Sequence, residues 1–432
     1  MTGDADTIFA VASGTGRAAV AVLRVSGPAT QGVLRGLCGR LPPPRRATLR
    51  ALRDGTGEVL DRGLVIWFPG PGSYTGEDAA ELHVHGGSAV VDGMAGRLAE
   101  LGARPAEAGE FTRRAFLHGR MDLVQAEAVA DLVAAETSAQ RRQALQQLGG
   151  ALGEVYRGWA ARLLRLLAQQ EALIDFPDEG MPAETEVEMV RALQALRADI
   201  AGHLDDDRRG ERLREGLVFA VTGPPNVGKS TLINALAGRD VAIVSPVAGT
   251  TRDVLEARVV LGGVPVTLLD TAGLRESADA IEAEGVRRAQ ARSAAADLRI
   301  LVGDAAAAPP LPADSVPTLV VANKADLGPH MADAAVRVSA LTGAGMDGLR
   351  AALTRVAGEL TASSGPPALT QARHRAALTA ATAALARAET AELAELRGED
   401  LRTALVCLGR ITGQTGVEDI LESVFAQFCI GK

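Results

Sequence analysis

Lysine is almost missing from this sequence: of 45 basic residues in 432, three are lysines, Lys229, Lys324 and Lys432. Arginine serves everywhere else, so lysine is expected to survive mainly where a planar guanidinium cannot replace a compact ammonium. Long apolar runs are missing too. No stretch approaches the roughly 18 residues that span a bilayer, and Met1 to Phe9 carries Asp4 and Asp6 where a signal peptide would be basic. A cytoplasmic protein with no membrane partner is expected. Three cysteines, Cys38, Cys407 and Cys429, are odd in number and far apart, which excludes a disulfide framework or a close-spaced zinc site. A formal net charge of −8 excludes nucleic-acid binding through the overall field, so any RNA contact must come from a local patch or a partner. No repeat at a fixed period is present, which sets solenoids aside.

Hydrophobic residues make up 47% and charged residues 23%, the balance of a soluble globular chain, and the length calls for two or three cores. The first part mixes β-rich runs (Ala18 to Val25, Gly63 to Phe68, Ala80 to Val84) with turns such as Pro69-Gly70-Pro71-Gly72, and reads as a small α+β domain. From Met121 the apolar spacing becomes helical, through Leu123, Val124, Ala128, Leu132 and Val133 and again through Leu163, Leu164 and Leu167. The polar run Asp205 to Glu215 reads as a solvated boundary. Strands and helices then alternate from Leu217 to about Leu353, the pattern of a parallel-sheet α/β domain. Helical texture returns after Ser363-Ser364-Gly365-Pro366-Pro367 and carries Leu421, Val424, Phe425 and Phe428. The expected class is multidomain α/β: an N-terminal α+β domain over 1–118, a helical domain in two halves, 119–215 and 363–432, and an α/β domain over 216–362 inserted between them.

Gly223-Pro224-Pro225-Asn226-Val227-Gly228-Lys229-Ser230 fits G-x-x-x-x-G-K-[ST] and follows the apolar run Leu217 to Val221. A strand would deliver the loop, backbone N–H groups would cradle phosphates, and a helix starting near Thr231 would add its positive end. Lys229 is expected on the β- and γ-phosphates and Ser230 on Mg²⁺. Asp270-Thr271-Ala272-Gly273 follows the strand Val264 to Leu269, placing a carboxylate near the magnesium shell and Gly273 near the γ-phosphate. Asn323-Lys324-Ala325-Asp326 ends the strand Thr318 to Ala322, and Asp326 can accept from the N1-H and 2-amino groups of guanine, an edge that adenine lacks. Ser339-Ala340 supplies a further contact on the base side. Four motifs in this order point to GTP. Between the first two lies Ser245-Pro246-Val247-Ala248-Gly249-Thr250-Thr251, where Thr251 is expected to complete the magnesium shell only when a γ-phosphate is present.

Leu274 occupies the position where Ras-like proteins carry a water-orienting glutamine, so hydrolysis needs a group from elsewhere. Glu276, Asp279, Glu282 and Glu284 are candidates that residue chemistry does not separate. Arg252 and Arg275 are nearby, but neither is assignable as an arginine finger. Asn226 could hold a monovalent cation or simply brace its turn. His83 and His85 share one strand face without a third ligand or a G-x-S-x-G motif, so a packing or pocket-lining role is expected of them.

The segments Leu23-Arg24-Val25-Ser26-Gly27, Ser73-Tyr74-Thr75-Gly76-Glu77-Asp78, His83-Val84-His85-Gly86-Gly87, Gly109-Glu110-Phe111-Thr112-Arg113-Arg114-Ala115-Phe116, Asp122-Leu123-Val124-Gln125-Ala126-Glu127-Ala128 and Phe428-Cys429-Ile430-Gly431-Lys432 add a more specific signal. With the nucleotide motifs, the chain resembles the MnmE (TrmE) family of tRNA-modification GTPases, within the wider TrmE-Era-EngA-like superfamily. That resemblance covers nearly the whole chain. It implies a folate-binding-type N-terminal domain that dimerises, and an inserted P-loop Ras-like G domain.

It further implies that a tetrahydrofolate derivative (5,10-methylene- or 5-formyl-) meets Arg24, Glu81, Arg120 and Lys432, with arginine standing at 120 where the family pattern leads one to expect lysine. Potassium would be held by Asn226 and by Ser245, Val247 and Thr250, and Glu282 would be the catalytic acid, alongside Lys229. Potassium-dependent contact between two G domains would complete both active sites. Cys429 is implied in the tRNA chemistry, against the simpler reading of a small buried residue behind an apolar helix stripe. The implied reaction places an aminomethyl or carboxymethylaminomethyl group on C5 of the wobble uridine of certain tRNAs. It would proceed as a heterotetramer of the homodimer with the FAD-binding partner MnmG (GidA); no flavin fingerprint stands in this chain. The competing class is a regulatory GTPase in ribosome assembly, which would need neither the folate-type domain nor Lys432.

Overall fold

The computed structural model describes residues 6–14, 16–175, 183–238, 256–270, 295–304, 315–328, 335–362, 367–415 and 418–431. The chain divides into two compact units, one made of residues 1–133, 147–193 and 384–432, the other of 134–146 and 194–383.

The first unit is built on a six-stranded sheet of β1 (Thr7–Val11), β2 (Ala18–Ser26), β3 (Thr48–Arg53), β4 (Val59–Phe68), β5 (Ala79–Gly86) and β6 (Ala103–Pro105), in the order β3-β4-β5-β2-β1-β6. Its pairs are antiparallel except β1 with β6. Alternation decides which face is which: Leu23 and Val25 of β2 and Leu82 and Val84 of β5 point inward. They pack against Val33, Leu34 and Leu37 of helix Thr30–Cys38 and against Met94 and Leu98 of helix Ser88–Glu100. The intervening residues Arg24 and Glu81 therefore share the opposite face, as direct cross-strand partners.

Residues near both ends of the chain meet in this unit. Val424, Phe425 and Phe428 bury with Leu123 and Ala126 in one apolar cluster. Beyond it Ile430 makes an antiparallel bridge with Ala108. Gly431 has φ of 97°, and a Cβ there would stand 2.5 Å from the Val11 carbonyl oxygen, so only glycine fits this approach. The long helices Ala151–Asp175 and Ala394–Thr412 lie together, joined by Gln170 Nε2 donating to the Ala394 carbonyl at 3.0 Å.

The second unit carries the other six-stranded sheet, of β7 (Leu217–Thr222), β8 (Glu256–Leu261), β9 (Val264–Asp270), β10 (Leu298–Gly303), β11 (Thr318–Ala322) and β12 (Val336–Arg337), ordered β12-β11-β10-β7-β9-β8. All pairs are parallel except β8 with β9. Every residue of β10 is buried, as expected of a strand covered on both faces. Helices Lys229–Ala237 and Met346–Thr361 contribute Leu232, Ile233, Leu236, Leu349 and Leu353 to its core.

The polar run from 205 to 215 departs from the expected solvated boundary. Arg209–Glu215 is a helix, and Glu211 is 1% exposed. Burying that carboxylate is tolerable because Arg375 donates through Nε at 2.7 Å and Arg208 through Nε at 2.7 Å. Arg375 also reaches Asp206 at 2.5 Å and the Leu204 carbonyl at 2.8 Å, using three edges of one guanidinium. Arg212 donates to Asp297 at 2.8 Å, whose other oxygen accepts from the Val218 amide at 2.9 Å, so the helix is tied to the first residues of β7. A Cβ on Gly210 would stand 2.1 Å from the Leu369 carbonyl oxygen, which brings the segments leading into and out of the sheet to contact distance. Replacing Arg375 with methionine leaves Glu211 buried beside a weaker set of donors. The expected loss is about 3 kcal/mol of stability, read as a lower urea midpoint, with Arg375→Lys falling between the two because an ammonium cannot span three acceptors.

Candidate functional site: a phosphate loop and a base loop

At the C-terminal end of β7 the chain turns through Gly223, Asn226 and Gly228, with φ of 143°, 63° and 91°. At Gly223 a Cβ would stand 2.1 Å from the Val302 carbonyl oxygen, and at Gly228 it would stand 2.5 Å from Asn323 Nδ2. The motif's two glycines are thus demanded by backbone conformation and by close approach. Gly228 caps helix Lys229–Ala237, so that helix's free N–H groups open toward the loop.

Lys229 is 6% exposed, and its Nζ donates to the carbonyls of Gly223 at 2.9 Å and Pro224 at 2.8 Å. The ammonium is thereby held against the concave side of the loop. Ser230 Oγ donates to Asp270 Oδ2 at 2.6 Å, bringing together a hydroxyl from the first turn of helix Lys229–Ala237 and a carboxylate from the end of β9. Two hard oxygen donors at a loop shaped for phosphate suit Mg²⁺. Val227 is buried, whereas Asn226 and Thr231 are exposed at the loop and on the first helical turn.

The loop after β11 approaches from the other side. Asn323 is 3% exposed and uses both ends of its amide: Nδ2 donates to the Val227 carbonyl at 2.9 Å, and Oδ1 accepts from the Ala340 amide at 3.0 Å. Lys324 has φ of 59° and lies 3.7 Å from Asp304. Asp326 accepts a hydrogen bond from the Ser339 hydroxyl, which orients its carboxyl and holds it below the usual aspartate range. Asn226, Val227, Gly228, Lys229, Ser230, Thr231, Asp270, Asn323, Lys324, Asp326, Ser339 and Ala340 thus all stand along one rim of the sheet. Ser245 to Thr251, Thr271, Ala272, Gly273 and Glu282 lie outside the described residues.

A second constellation sits in the first unit. Arg24 meets Glu81 at 3.1 Å, with its guanidinium 5.3 Å from the Tyr74 ring centre and 5.7 Å from that of Phe111. The side-chain carbons of Arg120 run past Gly76. Supporting this rim is a polar network that motif reading passed over. Ser26 hydrogen-bonds Thr75 at 2.6 Å and Glu77 at 2.8 Å, Glu77 pairs with Arg114, and Arg114 and Arg104 both hold Glu110. Burial alone would raise the Glu110 carboxyl, but hydrogen bonds from Arg104, the Glu107 amide and Arg114 outweigh it and leave the group below its ordinary range. The residues had appeared only as parts of motifs, and polar character at Ser26, Thr75 and Glu77 was the available signal. His83 lies 3.4 Å from Glu81 and His85 lies 2.8 Å from Asp61. No group of three or more metal-ligating side chains occurs among the described residues. Cys429 is exposed, unlike the small buried residue of the simpler reading. Lys432 lies outside the described residues.

Residues 7–120 match the family described as GTP-binding protein TrmE N-terminus, and residues 123–429 match the MnmE helical domain. The tRNA modification GTPase MnmE of Gluconacetobacter diazotrophicus is 58% identical over 431 residues, covering 98% of each chain. The chain belongs to the MnmE family. The MnmE protein of Granulibacter bethesdensis is 56% identical over 437 residues, covering 99% of each chain. That of Rhodospirillum rubrum is 54% identical over 452 residues, covering 99% of each. In this MnmE-family chain the first match spans the sheet β1–β6, and the second encloses the sheet β7–β12. No helix among the described residues is long and apolar enough to cross a membrane.

Two outcomes follow from the geometry of this MnmE-family chain. Gly228→Ala drives a Cβ into Asn323 at a φ that alanine resists, so guanine-nucleotide affinity measured by fluorescent-nucleotide titration falls at least about tenfold, or roughly 1.4 kcal/mol. Because the Glu110 carboxyl is depressed in the folded state, its contribution is complete above the ordinary glutamate value near 4.5 and is lost as pH falls through the lower folded value. Glu110→Gln therefore flattens the acid limb of a melting-temperature profile below about pH 4.5, where the native chain loses stability steeply.

Proposed function

We propose that this chain is a GTP hydrolase whose turnover drives modification of tRNA at C5 of the wobble uridine, position 34, in the cytoplasm. The observation that carries the reading is one rim of one sheet. There Lys229 folds over a phosphate loop, Ser230 pairs with Asp270, and Asp326 is held anionic beside Ser339.

In this reading Lys229 and the amides of Val227, Gly228, Ser230 and Thr231 neutralise the β- and γ-phosphates. Ser230 and Thr251 would hold Mg²⁺, with the Asp270 carboxylate beside Ser230. Asp326 accepts from the guanine edge, with Asn323, Lys324, Ser339 and Ala340 around it. Asn226, Ser245, Val247 and Thr250 would hold potassium, which would supply positive charge where Ras-like proteins use an arginine. Gly273, with Thr271 and Ala272 before it, would meet the γ-phosphate, and Glu282 would be the catalytic acid, since Leu274 stands where Ras-like proteins carry a glutamine.

Arg24, Glu81, Arg120 and Lys432 would hold a tetrahydrofolate derivative, the source of the one-carbon unit. The rim fits such a molecule. A carboxylate suits the donor edge of a pterin, cations suit a glutamate tail, and Tyr74 and Phe111 already line the Arg24 guanidinium. Cys429 is assigned to the tRNA chemistry on its exposure in the tail. The assembly is a homodimer joined by the FAD-carrying MnmG (GidA) as a heterotetramer. Domain limits of 1–118, 119–215, 216–362 and 363–432 complete the proposal.

Wobble-uridine nucleosides from a host lacking the gene, analysed by mass spectrometry, test it directly. C5-substituted uridines are expected to vanish and to return with the wild type but not with Lys229→Ala. Persistence of these nucleosides in the deletion strain would favour a regulatory role in ribosome assembly. Asp326→Asn replaces an acceptor by a donor, so affinity should move from GTP toward xanthosine triphosphate, whose C2 carbonyl accepts. Hydrolysis should also drop about tenfold or more when potassium is replaced by sodium, and Glu282→Ala should lose hydrolysis while keeping nucleotide binding.

A further inference from the structure

Strands β8 and β9 form one hairpin, turned at Gly262 and Gly263 with φ of 61° and 86°. In sequence it follows the loop that carries Thr251 and ends at Asp270. The hairpin therefore joins the two chain segments assigned above to sensing the γ-phosphate.

Near its open end Arg258 of β8 pairs with Glu136 at 3.0 Å. Glu136 belongs to a tightly capped turn: its amide donates to Gln140 Oε1 at 2.9 Å, as does the Thr137 amide at 3.2 Å, while Thr137 Oγ1 accepts from the Gln140 amide at 3.2 Å. This turn opens helix Ser138–Leu148. Gln140 Nε2 then donates to the Arg214 carbonyl at 3.0 Å, and Gln143 Nε2 to the Gly210 carbonyl at 3.2 Å. Both acceptors lie on the helix Arg209–Glu215 that Arg375 grips. Hydrogen bonds thus connect the turn at Glu136 to the segment leading into the sheet.

Between hairpin and helices lies a cavity of about 220 Å³, lined among others by Glu136, Gln140, Arg214, Arg258, Pro265 and Thr267. Close-packed contacts resist sliding, whereas a polar cavity gives a strand room to move while its ends remain solvated. The two partners are themselves solvated, with side chains 56% and 28% exposed for Arg258 and Glu136. A pair of this kind adds little stability and can open and close without unfolding its surroundings.

We propose that the Arg258–Glu136 pair is a latch by which the β8–β9 hairpin reports the nucleotide state to helix Ser138–Leu148, and through Gln140 and Gln143 to helix Arg209–Glu215. The inference rests on the GTPase reading above. Both residues are positioning residues, outside the phosphate loop and the base loop. Opening the pair is the two-state event, and the nucleotide biases it by moving the hairpin.

The test uses the full chain as wild type, Arg258→Glu, Glu136→Arg and the double reversal, with hydrogen exchange followed over residues 134–146 and 209–215. Each protein is compared with GDP alone and with GDP, aluminium fluoride, Mg²⁺ and potassium. The wild type is expected to show at least about a threefold change in exchange between the two states at these amides. Each single reversal removes the change while leaving nucleotide affinity and basal hydrolysis within about twofold, and the double reversal restores it. The change should also shrink as salt rises, because the pair is exposed. Identical exchange in the two wild-type states, an undiminished change in both single variants, or no recovery in the double variant overturns the latch. Failure of the wild type to bind GTP, read separately by titration, would instead remove the GTPase reading on which the latch stands.

Discussion

The carboxamide of Asn323 is the interaction on which the nucleotide rim depends. Its Nδ2 reaches the Val227 carbonyl and its Oδ1 takes the Ala340 amide. One buried side chain therefore spaces a phosphate loop, a base loop and the turn after β12. No other side chain of similar size offers a donor and an acceptor at the same distance and angle: aspartate lacks the donor, and leucine lacks both. The glycine at 228 is a consequence of this bridge, since it clears the space into which the amide reaches. Phosphate and base readers can then be assembled from different strands and still keep a constant separation, as recognition of a rigid nucleotide requires.

The nucleotide rim was largely legible in the sequence because each of its motifs combines a backbone demand with a chemical one. Gly223 and Gly228 are required by positive φ, and Lys229, Ser230 and Asp326 stand out as the polar and charged side chains spaced among them. Strand runs in both sheets were legible for a related reason. The runs at β2 and β5 carry the alternation that puts Arg24 and Glu81 on one face, whereas β10, with Arg299 inside it, offered no unbroken apolar stretch and shows its burial only in the fold.

What stayed hidden was long-range pairing among ordinary polar residues. Arg375 lies in an arginine- and alanine-rich helix that periodicity describes well, yet nothing local says that it will meet Asp206 and Glu211. For the same reason the run from 205 to 215 read as solvated. Charge density there is high, and only the tertiary structure reveals that one carboxylate is buried within its own set of donors. Glu110, Glu77 and Arg114 repeat the lesson in the first unit: they stand inside recognisable motifs, but what links them is a network and not a spacing.

The docking of the tail on the first sheet bears on how the protein can be made. Leu123 and Ala126 share a core with Val424, Phe425 and Phe428, and Ile430 bridges to Ala108. These partners leave the ribosome at widely separated times, with the entire second unit in between. The first unit's sheet can form early, but the apolar face of helix Leu123–Ala134 around Leu123 and Ala126 stays uncovered until the tail arrives. The emerging polypeptide therefore carries a sticky half-finished core through most of its own translation, and the second unit must fold while that face waits. Completing the first unit's core is thus left to a segment made long after the residues that it covers.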